Sequence, residues 1–338
     1  MLKINYTRSA SYLEDGYWKW FKSYQLKSFN DHVLAHDDLK IIIFGSKRKY
    51  IKWHDSVLIK TKVGVVSKVV DIKKVPDKDL QNYRDFILCP PEKLFKMHTL
   101  TMKHVKSIKK CSADDYFLDR YSKIRKSETI RKLYKSEIDL KTCPYCNRSF
   151  IATARKRNGK LYLTFELDHF YSKSLNPVLA IVLYNLIPSC HTCNHLKLDS
   201  HKELLNPYLD SFEDKASFEF IDTAVIEQII NSGKVDKGDL VKISSDDTAT
   251  QNSIDEFYLE ELYKSHKEEA KELIIKNHVF NNSLIKEMKK MVFTPLGYSD
   301  EEIYTVLYAS YNSHDNHHNR ILSKYLNDLH KDLKDKIK

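Results

Sequence analysis

The chain has 338 residues, of which 42% are hydrophobic and 30% charged, so it has room for one large domain or two to three small ones and wholesale disorder is excluded. Seven Gly and eight Pro are few for this length, which argues against Gly-rich barrels and propellers and for a helix-rich chain with short connections. The best apolar run, Val178–Pro188, includes Tyr184 and Asn185 and falls short of the roughly 18 residues that a membrane span needs.

The opening segment MLKINYTRSASYLEDG lacks an apolar leader core, so a cytoplasmic location is expected, with no membrane partner. The formal charge is +10, with 46 Lys against 10 Arg, a bias that an AT-rich genome alone would produce. Its distribution is more informative. Residues 1–100 carry 19 basic and 11 acidic groups, residues 101–160 carry 17 and 6, residues 161–200 carry 2 and 3, and residues 201–338 carry 18 and 26. A basic first half beside an acidic tail reads as a polyanion-facing surface joined to a protein-facing one.

In chain order, the aromatic segment Tyr17–Phe21 fits a helix beginning after Ser11. Residues 40–73 then take on β character, first in Lys40–Phe44 and later in Val57–Ile59 and Val63–Ile72. Pro90-Pro91 marks a break. Ser112–Asp115 has the form of a capping box opening a helix, whose polar face carries Arg120, Lys123, Arg125, Lys126, Arg131, Lys132 and Lys135. After residue 200, Ser217–Ile221 and Leu240–Ile243 are strand-like. Helical periodicity runs from Ser253 to the end, with a break at Pro295-Leu296-Gly297.

Four of the six cysteines form two C-x-x-C knuckles, Cys143/Cys146 and Cys190/Cys193. Each knuckle offers two thiolates to one metal from a single tight turn, and the pair completes the tetrahedral sulfur site that structural zinc prefers. Two disulfides do not suit a chain without a leader, and a redox motif needs only one pair. Cys89 and Cys111 have no sequence partner and read as buried thiols. His191, His195 and His201 read as surface residues. His314, His317 and His318 share the i, i+3, i+4 spacing of a helical metal site, but Asp315-Asn316 and the polar setting point to an exposed turn.

Between the knuckles stand a strand-like Leu161–Leu167, Asp168-His169, and Asn185; Asn194 and Lys197 follow the second knuckle. Gly159 supplies a hairpin turn back from Phe150–Ala152. This order, C-x-x-C, D-H, N, then C-x-x-C-N-x-x-K, resembles the HNH nuclease family with its ββα-metal fold. The text around it, Phe165–Tyr171 and Tyr184–Cys190, resembles the HNH components of bacterial anti-phage systems of the Septu and retron kind, which work with an ABC-like ATPase.

The resemblance implies an α+β fold with a central zinc-stapled HNH core in residues 111–205. A mixed α/β module (residues 1–110) would precede it and a mainly helical region (206–338) would follow. It implies a metal-dependent endonuclease hydrolysing phosphodiester bonds, of DNA before RNA, as the effector of anti-phage defence. His169 would be the general base, Asp168 and Asn194 the ligands of a catalytic Mg²⁺ or Mn²⁺, Asn185 the residue pinning the loop, and Lys197 a phosphate contact. The standard His is replaced by Asn194, which favours hard cations. Arg148, Arg155, Lys156 and Arg157 are expected to hold backbone phosphates, and the acidic tail to dock a partner such as the ATPase. The competing readings are a non-catalytic zinc-stabilised nucleic-acid-binding module and a stand-alone restriction enzyme.

Overall fold

The computed structural model describes residues 1–45, 77–110, 113–200, 202–234 and 238–337. The strands expected over 57–59 and 63–72, and Cys111, Ser112 and His201, lie outside the described residues.

Strand β1 (Asn5–Tyr6) leads into helices α1 (Ala10–Tyr24), α2 (Leu26–Ala35), α3 (Asp37–Phe44), α4 (Asp77–Ile87), α5 (Pro91–Lys110), α6 (Ala113–Lys126) and α7 (Glu128–Glu137). Lys40–Phe44, expected as a strand, is the body of α3. A short apolar run suits a buried helix as well as a buried strand, and its flanks decide. Asp37 and Asp38 fill the first turn, while Gly45 at φ 72° returns its N–H to the Ile41 carbonyl at 2.9 Å. The buried faces of α1 to α4 interlock through aromatic rings, with Phe29 edge-on to both Phe21 and Tyr83. Helices α1 and α7 approach so closely that a Cβ on Gly16 would collide with Leu133.

Ser127 caps α7, accepting from the Ile130 N–H at 3.3 Å, and divides the expected basic helix in two. Strand β2 (Ile138–Asp139) follows and pairs antiparallel with β1, Asn5 to Asp139 and Tyr6 to Ile138, so the chain's first strand is completed from far along the sequence. Strands β3 (Thr153–Arg155) and β4 (Leu161–Leu163) form a hairpin around Gly159 at φ 80°. Strand β5 (Glu166–His169) pairs antiparallel with β6 (Leu186–Ser189), in register Asp168 to Ile187 and His169 to Leu186. Two 3₁₀ turns, Pro177–Ile181 and Leu183–Asn185, join them, and α8 (His191–Lys197) follows β6 directly.

The remainder comprises β7 (Ser217–Phe220), α9 (Thr223–Ser232), β8 (Val241–Ser244), α10 (Thr248–Glu256), α11 (Leu259–Tyr263), α12 (Lys267–Val279), α13 (Asn282–Met288), α14 (Asp300–Tyr308) and α15 (Ser323–Lys336). Tyr258, at φ 49°, breaks the expected helix over 253–263 into α10 and α11. Strand β7 pairs with β8 on one edge. On its other edge the Phe218 and Phe220 amides donate to Asp328 and Asp332 of α15, at 3.3 and 2.8 Å. Two acidic residues of the tail thus satisfy a sheet edge that would otherwise be open.

The fold is a helix-rich α+β arrangement with small antiparallel sheets. Buried apolar residues from all three segments, from Leu13 through Tyr145 and Val178 to Leu333, meet in one core. Among the described residues no helix is long and apolar enough to cross a membrane.

Candidate zinc centre and the adjoining ββα site

The first knuckle is a tight turn. The Asn147 N–H closes on the Cys143 carbonyl at 2.8 Å, and Asn147 takes φ 50°, a left-handed conformation that Asn tolerates. In the second knuckle Cys190 is the N-cap of α8, its sulfur accepting from the Cys193 N–H at 3.4 Å. The Cys190 N–H in turn donates to Cys143 Sγ at 3.3 Å, and the Arg148 N–H to Cys146 Sγ at 3.4 Å. Amides aimed at sulfur favour the thiolate. Hydrogen bonds from the other three cysteines hold the Cys190 thiol far below its ordinary range.

All four sulfurs are buried and lie within 4.8 Å of one another; Cys146 and Cys190 are 3.9 Å apart. Zinc–thiolate bonds of about 2.3 Å in a tetrahedron require sulfurs about 3.8 Å apart, so the donor set fits zinc. Cys89 is buried elsewhere, and burial pushes its thiol up to about 11. His317 and His318 are buried, not on an exposed turn as expected: their segment packs against the first knuckle and forms no metal group. Among the described residues the four cysteines are the one such group.

Asn147 is the unexpected centre of that packing. Its amide nitrogen donates to Thr142 Oγ1 and to the His317 and Arg320 carbonyls, and its side-chain oxygen accepts from the Lys324 N–H. Nothing in the local sequence announces the last three partners, which come from 170 or more residues away.

Next to the four-cysteine cluster, the two-residue period of β5 meets the three-residue step of α8. Glu166 and Asp168 share one face of the strand, and each finds a partner on the helix: Glu166 accepts from Asn194, and Asp168 from Lys197. Asp168 is buried. Its second oxygen takes the Tyr145 hydroxyl at 2.7 Å, and Tyr145 stacks on Phe257 with ring centroids 4.4 Å apart. Lys197 is also buried, its ammonium 3.3 Å from Asp168 and 2.6 Å from the His169 carbonyl. The expected phosphate contact is therefore the internal counter-ion of the expected metal ligand. Asn194 turns to Glu166, a residue with no expected role that stands two residues before Asp168 on the same face.

His169 sits against the Tyr121 ring, edge-on with centroids 4.2 Å apart, while the Tyr121 hydroxyl donates to the Leu167 carbonyl at 2.7 Å. Nε2 of His169 lies 3.1 Å from the Ala180 carbonyl. A carbonyl only accepts, so this contact fixes the proton on Nε2 and leaves the Nδ1 lone pair as the basic atom. Burial, with Lys173, Lys197 and Arg125 nearby, lowers the His169 pKa to about 3 and keeps the ring neutral.

The loop carrying Ala180 is held by Asn185, which is completely buried. Its oxygen accepts from the Tyr171 N–H at 2.7 Å, and its amide donates to the Tyr171 and Leu179 carbonyls, each at 3.0 Å. Helices α5 and α6 pack against the same loop, and from α1 the Tyr17 hydroxyl donates to the Ile181 carbonyl at 3.0 Å.

The basic residues divide. Arg148 points away from β5, to His266 Nε2 at 3.0 Å and Ser265 Oγ at 3.2 Å, and clamps the first knuckle to the C-terminal helices. Arg155, Lys156 and Arg157 are exposed on the β3–β4 hairpin, with Lys156 over the Tyr162 ring. Beside that hairpin a groove of about 330 Å³ is lined by Arg125, Arg131, Tyr162, Glu166 and His191 among others. Lys123 and Lys132 are partly neutralised by Asp119 and Glu128.

Comparison of this chain with protein-family models, with curated proteins and with solved structures found no match. Its functional reading therefore rests on the residues themselves: four cysteines placed to hold a metal ion, and a ββα unit beside them.

Proposed function

We propose that this chain is a metal-dependent endonuclease of the HNH kind, hydrolysing phosphodiester bonds, of DNA in preference to RNA. The observation that carries the reading is the state of His169: Nε2 tethered to a loop carbonyl, Nδ1 left as a base, and the loop itself pinned by Asn185. A bound divalent cation would supply charge stabilisation at the scissile phosphate and the leaving 3′ oxygen.

The chain's own part is to orient and deprotonate. Nδ1 of His169 takes the proton of the attacking water, Tyr121 and the Ala180 carbonyl fix the plane of the ring, and Arg125 and Arg131 draw the phosphate to the groove. A free-state pKa near 3 makes His169 a weak base. The incoming phosphate raises it by offsetting the neighbouring cations. The sequence resemblance supports a role in cytoplasmic anti-phage defence, with an ATPase partner docking on the acidic C-terminal region.

A second reading, a zinc-stabilised nucleic-acid-binding module without turnover, is favoured by the Lys197 ammonium on Asp168. One experiment separates them: cleavage of plasmid and of total RNA by the zinc-loaded protein and by His169→Ala, each with Mg²⁺, Mn²⁺ or EDTA. The nuclease reading expects metal-dependent cutting that falls by about 10²–10⁴-fold in the variant. Equal cutting by both proteins overturns the assignment of His169. Binding to both polymers with no cutting in any metal favours the module.

A further inference from the structure

The Asp168 carboxylate is already engaged, since Tyr145 holds one oxygen and Lys197 approaches both. The Lys197 ammonium already stands against it as counter-ion, and the Asn194 amide is engaged by Glu166. The donors that do converge near the groove are Glu166, Asn194 and His191. Glu166 Oε1 lies 3.2 Å from His191 Nδ1, and its other oxygen contacts the Asn194 amide.

We propose that Glu166, His191 and Asn194 form a divalent-cation site on the rim of the groove, distinct from the zinc centre and in place of an Asp168 site. Three points support it. Neighbouring ligands of an octahedral ion with bonds of about 2.1 Å stand about 3.0 Å apart, close to the Glu166–His191 separation. The Asn194 amide can present oxygen as readily as nitrogen by a half-turn of its end group, and a cation beside Glu166 selects the oxygen. All three side chains are at least partly accessible, with Glu166 at 38% and His191 at 79% exposure, so an ion can enter with its waters.

A carboxylate, an amide oxygen and an imidazole nitrogen suit Mn²⁺ better than Mg²⁺, because imidazole is a borderline ligand that Mg²⁺ binds poorly. Arg125 and Arg131 line the same groove, so a phosphate bridging them to the ion would be the natural anionic ligand. The inference rests on the nuclease reading only for what the ion would do, not for where it binds.

The test is Mn²⁺ binding to the full zinc-loaded chain, read from the electron paramagnetic resonance signal of free Mn²⁺, with zinc content checked in every sample. The site predicts one Mn²⁺ per chain beyond the zinc, weakened at least about tenfold in Glu166→Gln and in His191→Ala. Both substitutions lie at the surface and leave the core intact. Wild type that takes up no Mn²⁺ at millimolar concentration, or variants that bind as wild type does, would overturn it. Cleavage plays no part in the readout, so failure here and failure of the nuclease reading are separate results.

Discussion

Lys197, in the last turn of α8, places its ammonium against the carboxylate of Asp168 and the main-chain oxygen of the next residue, with both side chains out of solvent. Removing one member strands the other in a site of low polarity. Lys197→Met is expected to cost about 3–5 kcal/mol in urea unfolding of the zinc-loaded protein. The double variant Lys197→Met/Asp168→Asn should recover part of that loss. A single variant within about 1 kcal/mol of wild type would mean the pair is solvated in solution.

The zinc centre predicts one zinc per purified chain. Cys190→Ser should lose the metal and its cooperative thermal transition, because Cys190 also caps α8. Cys89→Ser, at a buried thiol outside the cluster, should keep full metal content. Full zinc content retained in Cys190→Ser would show that the metal sits elsewhere.

Asn185→Ala deletes three hydrogen bonds and leaves two main-chain carbonyls and one amide without their partner inside the loop over 170–185. A loss of about 3 kcal/mol is expected. The sharper readout is local: hydrogen exchange at the Tyr171 amide should accelerate more than exchange in α15. Uniform acceleration would reduce Asn185 to a general core residue.

Three buried histidines set the response to acid. His169, His317 and His330 each have a pKa lowered to about 3, with burial the largest cause in all of them. The unfolded chain, with His near 6.5, therefore binds more protons between those values. Stability is full above about pH 6.5 and falls as the pH drops toward 3, by up to about 1.4 kcal/mol per pH unit for each histidine. His330 packs against Tyr304 and Tyr308, with neither ring nitrogen bonded. His330→Phe should remove one proton from the measured slope of stability against pH between 4 and 6. An unchanged slope would place the titration at other groups.

The cysteine knuckles were legible because a chelating turn is a local pattern. The strands β7 and β8 were legible as strand-like runs, whereas the single strand expected over Leu161–Leu167 is divided between β4 and β5. The arrangement of side chains around Asp168 was not, since Lys197 carries no mark that tells a buried counter-ion from a surface cation. That distinction depends on Tyr145 and Phe257 closing over the carboxylate from distant segments. Arg148 misled in the opposite direction: it sits in a basic stretch, but His266 and Ser265 turn it toward the C-terminal helices. Glu166 could have been read, since strand period alone sets it on the face of Asp168.

The turn over 143–147 accepts the Leu2 N–H at Pro144 and the Leu322 N–H at Asn147, at 2.6 and 2.7 Å. Segments some 320 residues apart in sequence therefore close on a single five-residue turn. Such closure is expensive in chain entropy until most other structure is in place, and it raises the contact order of the metal centre far above that of the helices around it. On the ribosome, the first knuckle can form as soon as residue 146 emerges, but it gains its permanent packing only after α15 is made. All four sulfurs are available once residue 193 emerges, before α15 is made, so a metal captured at that stage would organise the contacts that later lock the turn in.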